Sequence, residues 1–371
     1  MATDYHAEHV GSLLRQPWLL EARAAHKQGT LSDAGLREVE DRAAAENIAL
    51  QRAAGIVVFT DGEARRTNWM TNILESTGGM SVIETPAVTW HREDGGIPPT
   101  DETDFVMTAA SGKVFRKNRL TNVEADYMAS QVPGQFKITM MSAAMGGMVW
   151  RPEVSADAYP DPDELIDDLV ALQVEEISDL VERGTGWVQL DSLSYNQVFD
   201  DEFRAATGNP LDPAVILAAS VAADARIVNA VKAKHPQVTI GMHICRGNNR
   251  SAHMAKGGYE PVAEQLFGGV GVDRFLLEYD TERAGGFEPL RFVSPGTVVV
   301  LGLVSSKLAE LESQDDLRRR IDEAARYMPL ENLALSPQCG FASTSAGNTL
   351  TMDEQKRKLE LVVDTAQKVW G

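Results

Sequence analysis

A chain of 371 residues, 43% hydrophobic and 24% charged, can bury a large core. Its 54 acidic and 35 basic residues leave a net charge of −19, which argues against nucleic acid or an anionic membrane surface as partner, since both need basic patches. No apolar run approaches the roughly 20 residues needed to span a bilayer, and the first residues lack the order of a signal peptide. The expectation is a cytoplasmic protein, in which two cysteines point to free or metal-bound thiols rather than a disulfide.

In chain order, "EHVGSLL" from residue 8 is a weak first strand and "GIVVFTDGE" from 55 a clear second. The segment 66–135 is too long for one crossover helix. Its "GGIPPTDET" and alternating "DFVMTAASGKVFR" predict a β-hairpin excursion over the mouth of the fold. "FKITMMS" from 136 is a third strand. A helix opens after Asp161 and Pro162 and closes at Gly184, with Leu165, Leu169, Leu172 and Ile177 on one face. "GWVQLDS" from 186 follows, then a helix from Asp212 that stops before Pro236. "VTIGMHIC" from 238, "RFLLEYD" from 274, "TVVVLGLVSS" from 297 and "NLALSPQCG" from 332 are further strands, and "TMDEQKRKLELVVDTAQKVW" is a closing helix. The strands are short, β-branched and apolar on both faces, as buried parallel strands are. Eight of them alternating with helices predict one (β/α)8 TIM barrel, a single domain over 1–371.

Active sites of such barrels lie at the C-terminal ends of the strands. Those ends carry Gly11 and Ser12, Asp61 and Glu63, Ser142, Asp191, His243 and Cys245, Glu278 and Asp280, Ser305 and Ser306, and Cys339. Both cysteines of the chain are among them. Residues i and i+2 of a strand share a face, so His243 and Cys245 can both face the barrel axis. Glu278 on the next strand and Cys339 on the last can converge on them. One imidazole, two thiolates and a carboxylate suit zinc. The plainer alternative is that the cysteines are small core residues and His243 a satisfied buried histidine.

The motifs "HVGSLLR", "TDGEARRTNW", "VQLDSLSYN", "HICRGN", "LEYD", "LGLVSSK" and "SPQCGFAS", spread from 9 to 343, resemble the catalytic barrel of the cobalamin-independent methionine synthase family. Within that family the chain looks like the shorter single-barrel relatives. The resemblance implies a zinc site of His243, Cys245, Glu278 and Cys339, where the metal binds and activates a thiol without a separate general base. It implies that Glu63 and Asp191 hold the amino group of homocysteine and that the backbone N–H of Ser12 meets its carboxylate. The rival readings are Glu63 paired with Arg65 or Arg66, and Asp191 capping a helix.

Ser192 and Leu193 depart from the Glu-Pro of the full-length synthases, and "QCGF" from their last motif. The methyl donor therefore stays open among methylfolate, a corrinoid protein partner, a sulfonium compound and an aryl methyl ether. Trp150 offers a flat face for a pterin. The competing reaction is epoxide opening of the epoxyalkane:coenzyme M transferase kind. Its sulfonate substrate would want cations where this chain places Glu63 and Asp191.

Overall fold

The computed structural model describes residues 5–70, 76–84, 89–96, 108–119, 121–209 and 211–371. Helices α1 (Pro17–Lys27) and α2 (Asp33–Ala53) come first. An antiparallel hairpin of β1 (Thr77–Val82) and β2 (Thr108–Arg116) and helix α3 (Asn122–Gln131) follow. The remaining strands are β3 (Lys137–Met141), β4 (Trp187–Ser192), β5 (Thr239–Ile244), β6 (Arg274–Glu278), β7 (Val298–Val304) and β8 (Leu333–Pro337). They form one six-stranded sheet in sequence order, every pair parallel. Between and after them lie α4 (Pro162–Glu182), α5 (Pro213–Lys234), α6 (Glu260–Gly269), α7 (Gln314–Ala324) and α8 (Met352–Trp370). The predicted starts hold: the carboxylates of Asp161 and Asp212 accept the backbone N–H of Asp163 and Ala214.

Two extended segments close the ring. Ala7 bridges Leu335 of β8, and Phe59 bridges Phe136 just before β3. Leu13 N–H donates to Gly62 C=O at 3.0 Å, joining the segments to each other. The result is the expected (β/α)8 barrel, but its first two members are single bridges rather than strands. Side chains replace the ladder there. Gln51 of α2 donates to the carbonyl of Thr60 at 2.8 Å and accepts its N–H at 3.0 Å, while the Thr60 hydroxyl donates to Gly11 C=O at 2.7 Å.

The excursion also differs from expectation. Its hairpin lies against the flank of α4, where Tyr159 Oη accepts from Val114 N–H and Arg116 pairs with Asp179 at 3.3 Å. Among the described residues of the segment, those before the hairpin, Asn68 and Trp69, and the stretch 89–96 reach the barrel mouth. His91 and His253 exchange two backbone hydrogen bonds of 2.8 and 2.9 Å, and the Arg92 guanidinium donates to Arg250 C=O. Most of "GGIPPTDET" falls outside the described residues.

Helix α5 is long and apolar enough to cross a membrane by composition. Its apolar side is instead spent on the barrel wall, with Ile216, Leu217, Ile227, Val228 and Val231 buried.

The floor of the barrel is polar. Lys137 Nζ lies 2.9 Å from Glu8 Oε1 and Arg274 Nε lies 3.1 Å from Glu8 Oε2, all three side chains being fully buried. Replacing Gln51 by Leu is expected to strand the N–H and C=O of Thr60, at about 1–3 kcal/mol for each buried group. Urea unfolding followed by circular dichroism measures that loss; an unchanged midpoint would mean that closure does not depend on this side chain.

Candidate metal centre

Strand β5 places His243 beside Asp191 of β4 and Leu276 of β6. Cys245 follows two residues on, so both side chains point inward. Glu278 is the last residue of β6, and Cys339 stands two residues beyond β8. The donor atoms of these four buried residues all lie within 4.8 Å of one another. The sulfurs are 3.8 Å apart and free. That is far beyond a disulfide bond of about 2.05 Å. It equals the ~3.8 Å edge of a tetrahedron with metal–sulfur bonds of about 2.3 Å.

The imidazole is aimed by its own strand pair. Its Nδ1 meets Leu276 C=O at 3.1 Å, and Nε2 is buried without a hydrogen-bond partner. A carbonyl only accepts, so Nδ1 carries the proton and Nε2 faces the cluster, the second-sphere arrangement of a metal-binding histidine. Glu278 Oε1 accepts from Arg246 N–H at 2.7 Å and Oε2 from Arg283 at 2.8 Å. The N–H of Gly247 donates to Cys245 Sγ at 3.3 Å. These residues fit a metal ion of tetrahedral preference.

Without an ion the cluster shares protons. The hydrogen bond from Cys245 and the neighbouring His243 hold the Cys339 thiol well below its usual range despite burial. The same sulfur–sulfur bond, together with burial, pushes Cys245 well above it. Burial opposes a charged His243, but the Cys339 thiolate, Asp191 and Glu278 outweigh it and raise the ring to about 9. Burial also opposes charge on Glu278, yet Lys307, Arg283 and His243 keep it below the ordinary glutamate value.

Ser12, Glu63, Asp191, His243, Cys245 and Cys339 line one small cavity of about 20 Å³, together with Trp69, Ser343, Val10 and Gly340. Glu63 adopts a left-handed backbone, φ 56°, that L residues enter at a cost. Thr139 Oγ1 donates to its Oε1 at 2.9 Å, while its Oε2 is buried with no hydrogen-bond partner. Arg66 stands 3.7 Å from Glu63, but its close partner is Glu124 at 2.8 Å. Asp191 does not cap the helix that follows β4, whose N-cap is Tyr195. Its Oδ1 accepts from Gln189 at 2.8 Å. Burial, reinforced by Glu63, raises Asp191 to about 7 against the opposing pull of His243. The hydroxyl of Ser12 accepts from Ala342 N–H at 3.3 Å, tying the first segment to the loop that carries Cys339.

Trp150 is not in this cavity. Its indole N–H donates to Tyr159 C=O at 2.9 Å, and its ring lines a separate, largely apolar pocket of about 360 Å³ between the loops after β3 and β4. Met148 belongs both to that pocket and to an apolar cluster of Met70, Met141, Met145, Met254, Trp69 and Trp90 packed with the two cysteines. Trp69 was already inside a quoted motif. Gln189 too stood inside a quoted motif but was given no role, and Arg283 and Met70, Met145, Met148 and Met254 carried no spacing signal.

A parallel barrel thus carries at its C-terminal rim a buried imidazole, thiol and carboxylate cluster that could hold a metal ion. The family model described as "Cobalamin-independent synthase, Catalytic domain" matches residues 6–368, and the chain belongs to that family. It is 36% identical to the uncharacterized protein YxjH of Bacillus subtilis (strain 168), over 99% of this chain and 95% of that one. Its fold matches a putative vitamin-B12 independent methionine synthase from Listeria monocytogenes, with a TM-score of 0.74, 28% identity and 99% and 98% of the two chains covered. A B12-independent methionine synthase from Shewanella sp. W3-18-1, solved in complex with selenomethionine, shares the fold at a TM-score of 0.69, 18% identity and 97% and 96% coverage.

Metal binding to this cluster needs both sulfurs as thiolates and the His243 ring without its Nε2 proton, against the upward shifts of His243 and Cys245. Near neutral pH, uptake of one ion by metal-free protein is therefore expected to release protons, and affinity should rise with pH. Titration calorimetry in buffers of different ionisation enthalpy counts them. Cys245→Ser and Cys339→Ser should each lose the ion on dialysis; full retention in both would refute the cluster as the site.

Proposed function

We propose that the protein is a zinc-dependent methyltransferase that methylates the sulfur of an amino-acid thiol, homocysteine being the leading candidate. The observation that carries this reading is the shared cavity. His243, Cys245 and Cys339 open onto the same space as Glu63 and Asp191, with Glu278 completing the donor set behind them. Soft sulfur and imidazole donors with one carboxylate select zinc. Zinc held there would supply acidity to a thiol whose free pKa is about 8.5, presenting it as a thiolate near neutral pH.

The chain's own residues do the rest. The free Oε2 of Glu63 and the carboxylate of Asp191 bind the ammonium group of the substrate. The backbone of Ser12 meets its carboxylate. The methionine and tryptophan wall keeps water from the reacting sulfur. Trp150 and the neighbouring pocket receive the methyl donor, a folate or another flat carrier. The selenomethionine bound by the Shewanella protein, an amino acid with an alkylated chalcogen, supports an amino-acid acceptor. A corrinoid partner finds no support in a family described as cobalamin-independent. Two acids in the cavity also disfavour a sulfonate thiol, and with it the epoxide-opening reaction. We place the enzyme in the cytoplasm.

Asp191→Asn tests the acceptor. A charge-assisted hydrogen bond contributes roughly 1.5–3 kcal/mol, so homocysteine should bind about tenfold to over a hundredfold more weakly. 4-Mercaptobutyrate, which lacks only the amine, should bind as before, and metal content should not change. Equal weakening of both thiols, or of neither, would sink the amine pocket. Because Asp191 titrates near neutrality, homocysteine affinity should also fall as the pH drops through about 7; the affinity of 4-mercaptobutyrate should lack that step.

A further inference from the structure

The inward face of β4 carries Trp187, Gln189 and Asp191 in succession, one above the other from the barrel floor to its rim. Gln189 is fully buried, with an amide that has one accepting and one donating end. Lys137 Nζ meets its Oε1 at 2.7 Å, and its Nε2 donates to Asp191 Oδ1 at 2.8 Å. Lys137 is itself fixed by Glu8 Oε1 at 2.9 Å and by His9 C=O at 2.5 Å, and Arg274 holds the other oxygen of Glu8 at 3.1 Å. A continuous polar chain thus runs from the barrel floor to the cavity.

We propose that Gln189 is a positioning residue: its amide, aligned by the Lys137 ammonium, holds Asp191 in place for the ammonium group of the substrate. This rests on the reading of Asp191 given under Proposed function. The alignment follows from donor and acceptor chemistry. An ammonium only donates, so it accepts no orientation of Gln189 but the one with Oε1 toward it. Nε2 is then turned up the barrel toward Asp191. The reversed amide would set donor against donor at Lys137 and acceptor against acceptor at Asp191, a mismatch that burial of all three side chains makes costly. With Oδ1 engaged, turning the Asp191 carboxylate away costs that hydrogen bond, and its other oxygen is the one offered to a ligand. A cation at the floor of the barrel, which touches no substrate, therefore sets the geometry of recognition at the top.

The test compares homocysteine with 4-mercaptobutyrate in zinc-loaded Gln189→Met, a substitution of similar size that removes both hydrogen bonds. The KM for homocysteine is expected to rise about tenfold, the effect of losing one hydrogen bond to a charged group. The KM for 4-mercaptobutyrate should stay within about twofold, which also reports that the variant is folded. Lys137→Arg, which keeps a donor-only cation, should retain the preference for the amine. Lys137→Met, with Gln189 intact, should lose it. If Gln189→Met does not fold, Gln189→Glu keeps the bond to Lys137 but turns a second carboxylate toward Asp191; it too should raise the homocysteine KM alone. A Gln189 variant that shifts both thiols alike or neither, while Asp191→Asn still discriminates, overturns the positioning role and leaves the amine pocket standing. Failure of Asp191→Asn itself to discriminate overturns both.

Discussion

Glu8 is shared by two cations that never meet water, and the barrel is assembled around that arrangement. Lys137 comes from β3, Arg274 from β6 and Glu8 from the first segment, so one carboxylate ties three walls across the lumen. Burying these charges is costly, and removing any one of them would leave another uncompensated. Barrel interiors are ordinarily filled by branched apolar side chains. Here Trp187 spreads its ring beside both cations, with the Arg274 guanidinium 5.1 Å from its centroid. The layers above rest on this rigid floor, and the polar groups of the rim inherit their placement from it.

Much of the architecture was legible because parallel strands buried on both faces leave uninterrupted apolar runs, as in "TVVVLGLVSS" and "VTIGMHIC". Helix starts were legible at Asp161 and Asp212, where a carboxylate and a proline stand together. The donor set was legible because two cysteines, a histidine and a glutamate each fell at a strand end. What was not legible depends on contacts distant in sequence. The first two barrel members lack a ladder because Gln51 and Thr60 replace its hydrogen bonds, which no hydrophobic pattern reports. The placement of the hairpin depends on α4. Arg283 and Gln189 act through partners chosen by the fold, and a glutamate at positive φ has no signature in the string of letters.

The cluster is also tied to the excursion. Arg283 reaches Glu278 with one nitrogen and Glu93 with another, at 2.8 and 2.9 Å. Glu93 belongs to the stretch that pairs with His253 beside the loop after β5. Trp90 of the same stretch packs with the apolar cluster around the cysteines. A donor of the cluster and a segment inserted between the second and third barrel members therefore share one guanidinium. The insertion is part of the construction of the site rather than an ornament on its flank.

The separation of the two sulfurs has a consequence for oxidation chemistry. At 3.8 Å they stand less than about 2 Å short of a covalent bond. Joining two free thiols releases two electrons and two protons, so closure needs an outside oxidant to take the electrons. A metal ion held by both sulfurs would keep them apart as ligands and engage the lone pairs with which they attack an oxidant. A vacated site leaves the same geometry as a thiol pair open to closure, in a methionine-rich pocket that is itself oxidisable. A metal held by this cluster would therefore also shield its two thiols from oxidation.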